Sequence, residues 1–117
     1  VKAFWNALTT ENRKDRIAHI KASIEYYDKY PSDNSQELNS LAWGFYESVK
    51  DKDQLLKAVE WAKRSVEINK AYANLDTLPW LYYKTGQIDL AKQTAKEAID
   101  LAKATGQNYS ETAKLLN

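Results

Sequence analysis

The chain has 117 residues, which suits one domain with its own hydrophobic core. It contains no cysteine and a single histidine, which excludes disulfides and leaves the usual zinc ligand sets incomplete. The net charge is +1 with both signs spread along the chain, and no apolar run approaches the roughly 20 residues that span a bilayer. We therefore expect neither a nucleic-acid interface, which needs clustered lysine and arginine, nor a membrane helix.

The N-terminal segment is predicted to be helical. One helical face near the chain start carries the apolar side chains of Phe4, Trp5 and Leu8. This face is either the frayed end of a helix or a surface that packs on an upstream domain. Because the chain begins at Val1 and contains no methionine, we expect it to be a piece cut from a longer protein.

Two further helices are predicted on either side of Pro31, which cannot continue a helix. The first is capped by Thr9 or Thr10 and has an apolar stripe made of Ile17, Ile20, Ile24 and Tyr27. The second begins at Asn34, which has the spacing of a capping box with Glu37. Its apolar stripe consists of Leu38, Leu41, Ala42, Phe45 and Val49.

The C-terminal half is predicted to hold four helices, over about residues 53–69, 72–85, 88–104 and 111–117. Pro79 lies within the second of these. It stands in the first turn if Asp76 is the cap, but we favour a start near Tyr72 with a bend at the proline. Gly86 is expected to close that helix in a left-handed conformation. The last helix begins at Ser110. Its apolar residues Leu115 and Leu116 are available to cover the open end of the stack of helices.

The chain contains an internal repeat of two helices. A shift of 37 residues superposes the first helices, with Leu38 on Leu75, Leu41 on Leu78, Trp43 on Trp80, Phe45 on Tyr82 and Tyr46 on Tyr83. A shift of 33 residues superposes the second helices, with Leu55 on Ile88, Ala58 on Ala91, Ala62 on Ala95 and Val66 on Ile99. The difference of four residues predicts a longer turn in the first hairpin, around residues 49–54.

The repeat resembles the tetratricopeptide repeat (TPR) family over roughly residues 35–105. The second copy carries the family spacing at Leu75, Leu78, Tyr82, Tyr83, Gly86, Ala91, Ala95 and Ala98, although Pro79 replaces a small residue. The resemblance implies an all-α domain of antiparallel helical hairpins, stacked as a short right-handed superhelix with a concave groove. The single domain 1–117 then comprises a degenerate half repeat (1–31), repeat 1 (34–70), repeat 2 (72–105) and a capping helix (109–117).

Aromatic residues of the first helices lie beside the predicted core stripe. Trp43 and Tyr46 follow that stripe by one residue, about 100° round the helix, and Trp80 and Tyr83 occupy the equivalent places. The TPR resemblance implies that this side lines the concave groove; the alternative is that the rings pack as core against the neighbouring hairpin. The predicted partner-binding residues are Asn39, Trp43, Tyr46, Glu47, Asp76, Trp80, Tyr83 and Lys84.

These features predict a protein-interaction module that binds a protein or peptide segment in an aromatic groove. No residue spacing indicates a catalytic site, and we expect His19 on a helix surface. We predict no cofactor and no metal. Trp43 and Trp80 stand where relatives that bind acidic chaperone tails carry asparagine, so the groove favours an apolar or amphipathic segment.

A second resemblance gives an alternative function. Residues 38–47, 74–86 and 95–112 are similar to the helical tail that follows a thioredoxin-like domain in some exported bacterial proteins. This resemblance implies an accessory domain packed on its own upstream oxidoreductase domain, in an exported or periplasmic protein; otherwise we expect a cytoplasmic one. A third hypothesis is self-association as a homodimer through the ends of the stack.

Overall fold

The computed structural model describes residues 13–116, and this part of the chain is all-α, as predicted. Its helices are α1 (Arg13–Lys29), α2 (Ser35–Ser48), α3 (Lys52–Ile68), α4 (Tyr72–Lys84), α5 (Ile88–Thr105) and α6 (Ser110–Ala113), followed by a 3₁₀ turn (Lys114–Leu116). None of the helices described is long and apolar enough to cross a membrane. The face of Phe4, Trp5 and Leu8, the cap at Thr9 or Thr10, and Asn117 lie outside the described residues.

The N-terminus of α2 is capped by Asn34, as predicted. Its side-chain oxygen accepts a hydrogen bond from the Glu37 backbone N–H at 2.9 Å. The second hydrogen bond of a capping box would run from the Asn34 N–H to the Glu37 side chain. The Asn34 N–H instead donates to Ser32 Oγ at 3.1 Å. The Glu37 carboxylate instead accepts from the Tyr27 hydroxyl; burial, with the negative charge of Glu37, raises the pKa of Tyr27 to about 12. The cap therefore also ties α2 to α1.

The longer turn predicted for the first hairpin is wrong. Residues 49–51 connect α2 to α3 and residues 85–87 connect α4 to α5, so each connection has three residues. Asp51 caps α3, and its Oδ1 accepts from the Gln54 N–H at 3.0 Å. Because of this cap, residues 52–54, which were predicted to belong to the connection, form the first helical turn of α3.

Helix α4 begins at Tyr72 and contains Pro79 in its interior, which confirms the earlier of the two predicted starts. Pro79 is fully buried, like Ala42 at the equivalent position of α2. The missing N–H of Pro79 removes one hydrogen bond from the helix. Its burial in the core stripe offsets that loss, so the helix continues through the proline to Lys84.

Two glycines end the second hairpin's helices in the left-handed conformation. Gly86 has a φ of 82°; its N–H donates to the Tyr83 carbonyl at 3.1 Å, and the Gln87 N–H donates to the Tyr82 carbonyl at 2.8 Å. This pair of bonds is a Schellman motif and confirms the predicted cap. Gly106 closes α5 with a φ of 70°.

We expect Gly86→Ala to lower the free energy of unfolding by about 1 kcal/mol, because a side chain disfavours the left-handed conformation. A Cβ at this position would meet nothing within 4 Å, so no steric clash contributes to the loss. Urea denaturation measures the change. Gly86→Asn should lower the free energy of unfolding by less, since asparagine tolerates the left-handed conformation. An alanine variant as stable as the parent would contradict the assignment of the cap.

The core lies between α2, α3 and α4, with α5 packed on α4. Phe45 is fully buried, and its ring meets that of Trp61 edge to face with centroids 4.9 Å apart. Each first helix packs on the second helix of its hairpin, and α2 also packs on α4. This last contact places the two first helices side by side, with one face of each left available to solvent.

Candidate partner-binding groove

A groove of about 610 Å³ lies between α2 and α4. It is lined from α2 by Asn39, Ser40, Trp43, Gly44, Glu47 and Ser48, and from α4 by Tyr72, Ala73, Asp76 and Thr77. A second hollow of about 640 Å³ shares Asn39, Ser40 and Ala73 with the first and extends to the N-terminal ends of both helices. We call the two together the α2–α4 groove. Small side chains on its facing walls leave the depression open.

Four of the eight predicted partner-binding residues line this groove. Asn39, Trp43 and Glu47 are four residues apart on α2, and that spacing puts them on one face of a helix. Asp76 faces them from α4. Trp43 keeps 36% of its surface exposed, so its ring is available to a bound molecule.

Three more of the predicted residues meet at the edge of the groove. The Tyr46 ring stacks on Trp43 with centroids 4.9 Å apart, and the Trp80 ring approaches Tyr46 at 6.1 Å. The Lys84 ammonium lies 5.0 Å from the centre of the Tyr46 ring and donates a hydrogen bond to the Tyr46 carbonyl. Tyr46 thus links Trp43 to α4, since its ring contacts both Trp43 and Trp80.

Tyr83 is placed differently from the other predicted residues. It is 55% exposed and is not among the residues that line the groove. Trp80 is half-buried and donates its indole N–H to the Asp76 carboxylate. Of the four aromatic residues, Trp43 is therefore the one that both lines the groove and presents an exposed ring.

Asp76 is held by a hydrogen-bond network that includes the C-terminal segment. The Thr112 hydroxyl donates to the Asp76 carboxylate, and Thr112 Oγ1 lies 2.6 Å from the Tyr72 hydroxyl. Burial raises the pKa of Asp76 above that of an ordinary aspartate, while the bonds from Thr112 and Trp80 lower it in part. Sequence reasoning missed Thr112, since no spacing signals a contact across 36 residues.

The groove is acidic although the chain as a whole is not. Its charged lining residues are Glu37, Glu47 and Asp76, and no lysine or arginine is present among the lining residues that the structure describes. The Asn39 side-chain oxygen is buried and has no hydrogen-bond partner among the described residues. The groove therefore offers hydrogen-bond acceptors and negative charge beside an aromatic ring.

The described residues include no group of three histidine, cysteine or acidic side chains that could hold a metal ion. His19 is half-buried on α1 and does not line the groove. No family model matches the chain, and neither a curated protein nor a solved structure matches it. The resemblances to the TPR family and to the thioredoxin-associated tail stay predictions.

Proposed function

We propose that this domain is a protein-interaction module that binds a peptide segment of a partner protein in the α2–α4 groove, without chemistry of its own. We also propose that its hairpins stack as in TPR proteins, in a short right-handed superhelix. The observation that carries the proposal is the position of Trp43, an exposed aromatic side chain held over a groove with small residues on both walls.

The dimensions of the groove suit a short segment. Helix α2 has 14 residues and is therefore about 21 Å long, the length of about six residues of extended chain. Each of the two hollows has a volume in the range of known ligand sites. Tryptophan and tyrosine are enriched among the residues that dominate binding energies, because they bury a large area with few rotatable bonds.

A displayed library of random 14-residue peptides, selected on the immobilised domain, tests this function. We expect enriched peptides whose dissociation constant rises at least tenfold, or about 1.4 kcal/mol, when Trp43 is replaced with alanine. Fluorescence anisotropy with labelled synthetic peptides measures the change.

The matched control is Tyr26→Ala, which removes an aromatic ring that is 55% exposed on α1 and outside the groove lining. This variant should bind the selected peptides like the parent. Equal losses in the two variants, or peptides that bind the Trp43→Ala domain unchanged, would count against the groove as the binding surface.

A further inference from the structure

The charges of the α2–α4 groove indicate what kind of segment it binds. The chain has 17 lysine and arginine residues and 16 acidic ones, so an even mixture would be expected on any face. The described groove lining instead has three carboxylates and no basic side chain. Burial, followed by the positive charge of Lys50, lowers the pKa of Lys84 at the C-terminal end of α4. Both lysines lie outside the described groove lining.

The carboxylates that face the first hollow form no ion pair with a described lysine or arginine. Asp76 accepts hydrogen bonds from two neutral donors, the Thr112 hydroxyl and the Trp80 indole. None of the ion pairs found in residues 13–116 includes Asp76 or Glu47. No ion pair of the described residues therefore neutralises these two carboxylates where α2 and α4 face each other.

Two neighbouring groups favour a cation at the same place. The exposed ring of Trp43 lines the hollow together with both carboxylates, and a tryptophan face attracts a guanidinium or ammonium group. Asn39 lines the hollow as well, and its side-chain oxygen is buried there without a hydrogen-bond partner among the described residues. Guanidinium has five N–H donors in a plane, so one arginine side chain can satisfy acceptors and stack on an aromatic ring at once.

We infer that the partner segment is basic and places an arginine or lysine side chain in the hollow formed by Asn39, Trp43, Glu47 and Asp76. This inference rests on the proposed function, since it specifies the segment that the same groove binds. It refines the prediction of an apolar or amphipathic segment: the apolar part contacts Trp43, and the charged group meets the carboxylates.

The experiment uses the peptides that the library selection yields. We expect arginine or lysine at one fixed position of the enriched peptides. Replacing that arginine with neutral citrulline, or that lysine with acetyl-lysine, should raise the dissociation constant at least tenfold. Binding of the parent peptide should also weaken as salt rises from about 50 to 300 mM, since screening acts on exposed charges.

A variant of the protein gives the complementary result. Glu47→Gln should raise the dissociation constant of the parent peptide at least fivefold and leave that of the citrulline peptide unchanged. Glu25→Gln, which neutralises an exposed carboxylate of α1, should change neither dissociation constant. Circular dichroism of each variant checks that it is folded. Coupling between Glu47 and the basic residue is a readout that a purely structural role for Glu47 would not produce.

Four outcomes would overturn the inference. Selected peptides that depend on Trp43 but carry no basic residue, or that ignore Glu47→Gln, would remove it and leave the proposed function standing. Spermidine that competes at the same concentration as the peptide would show a site for a small cation instead of a segment. The absence of any peptide that depends on Trp43 would remove both proposals together.

Discussion

Replacing Phe45 with alanine is expected to lower the free energy of unfolding by about 3–5 kcal/mol. The side chain is 0% exposed and meets Trp61 edge to face in the core, so its removal leaves a cavity lined by groups that cannot all move in to fill it. For a domain whose whole stability is about 5–15 kcal/mol, such a loss is severe. Urea denaturation followed by circular dichroism measures it.

The control for Phe45→Ala is Tyr83→Ala on the first helix of the other hairpin. Tyr83 is 55% exposed, so its truncation should change the free energy of unfolding by less than about 0.5 kcal/mol. Similar losses in the two variants, or a loss below about 1 kcal/mol at Phe45, would contradict the position of the core between α2 and α3.

Replacing Thr112 with valine should lower the free energy of unfolding by about 1–3 kcal/mol. The substitution keeps the shape of a fully buried side chain but removes the hydroxyl that links Tyr72 and Asp76. The partly buried Asp76 carboxylate then loses a donor, and the C-terminal segment loses a polar contact with α4. Thr94→Val is the matched control, because the Thr94 hydroxyl bonds only the Leu90 carbonyl of its own helix in the structure described.

The same variant changes the pH dependence of stability through Asp76. Burial raises the pKa of Asp76 in the folded state, so the folded protein holds this proton more tightly than the unfolded chain does. The contribution of Asp76 to stability is therefore greatest below the pKa of an ordinary aspartate and falls as the pH rises through the raised pKa.

The hydrogen bond from Thr112 lowers the pKa of Asp76, so Thr112→Val should raise that pKa further and extend the decline in stability to higher pH. NMR titration of the Asp76 carboxyl carbon measures the pKa directly. A pKa that stays the same or falls in the variant would show that Thr112 does not bond the ionised carboxylate.

The features that depend on local spacing could be predicted from the sequence. The cap at Asn34 and the left-handed Gly86 follow from residue preferences within one turn. The α2 side of the groove could also be predicted, since residues four apart share a helix face whatever the helix packs against. These predictions needed no knowledge of distant contacts.

The turn length could not be predicted, because an error of one helical turn preserves an apolar stripe. The 33-residue shift pairs Leu55, which is 1% exposed, with Ile88, which is 39% exposed. A shift of 36 residues pairs Leu55 with Ala91, which is 1% exposed. Both shifts match alanines to small or apolar residues, so the pattern alone did not distinguish them.

Tyr83 shows how tertiary context separates positions that the repeat makes equivalent. Tyr46 packs on Trp80 of the next first helix along the chain and is half-buried. No further first helix follows α4 within the described residues, and Tyr83 stays exposed. The contact of Thr112 with Asp76 is likewise set by the return of the C-terminal segment onto α4, which local spacing does not encode.

The most direct test of peptide binding in the α2–α4 groove is a two-dimensional ¹⁵N–¹H NMR titration of the domain with a selected peptide. We predict that the largest chemical-shift changes fall on Asn39, Glu47, Asp76 and the indole N–H of Trp43. Changes concentrated instead around Tyr26 on α1 or on the outer face of α5, with these four signals unmoved, would contradict the assignment of the groove.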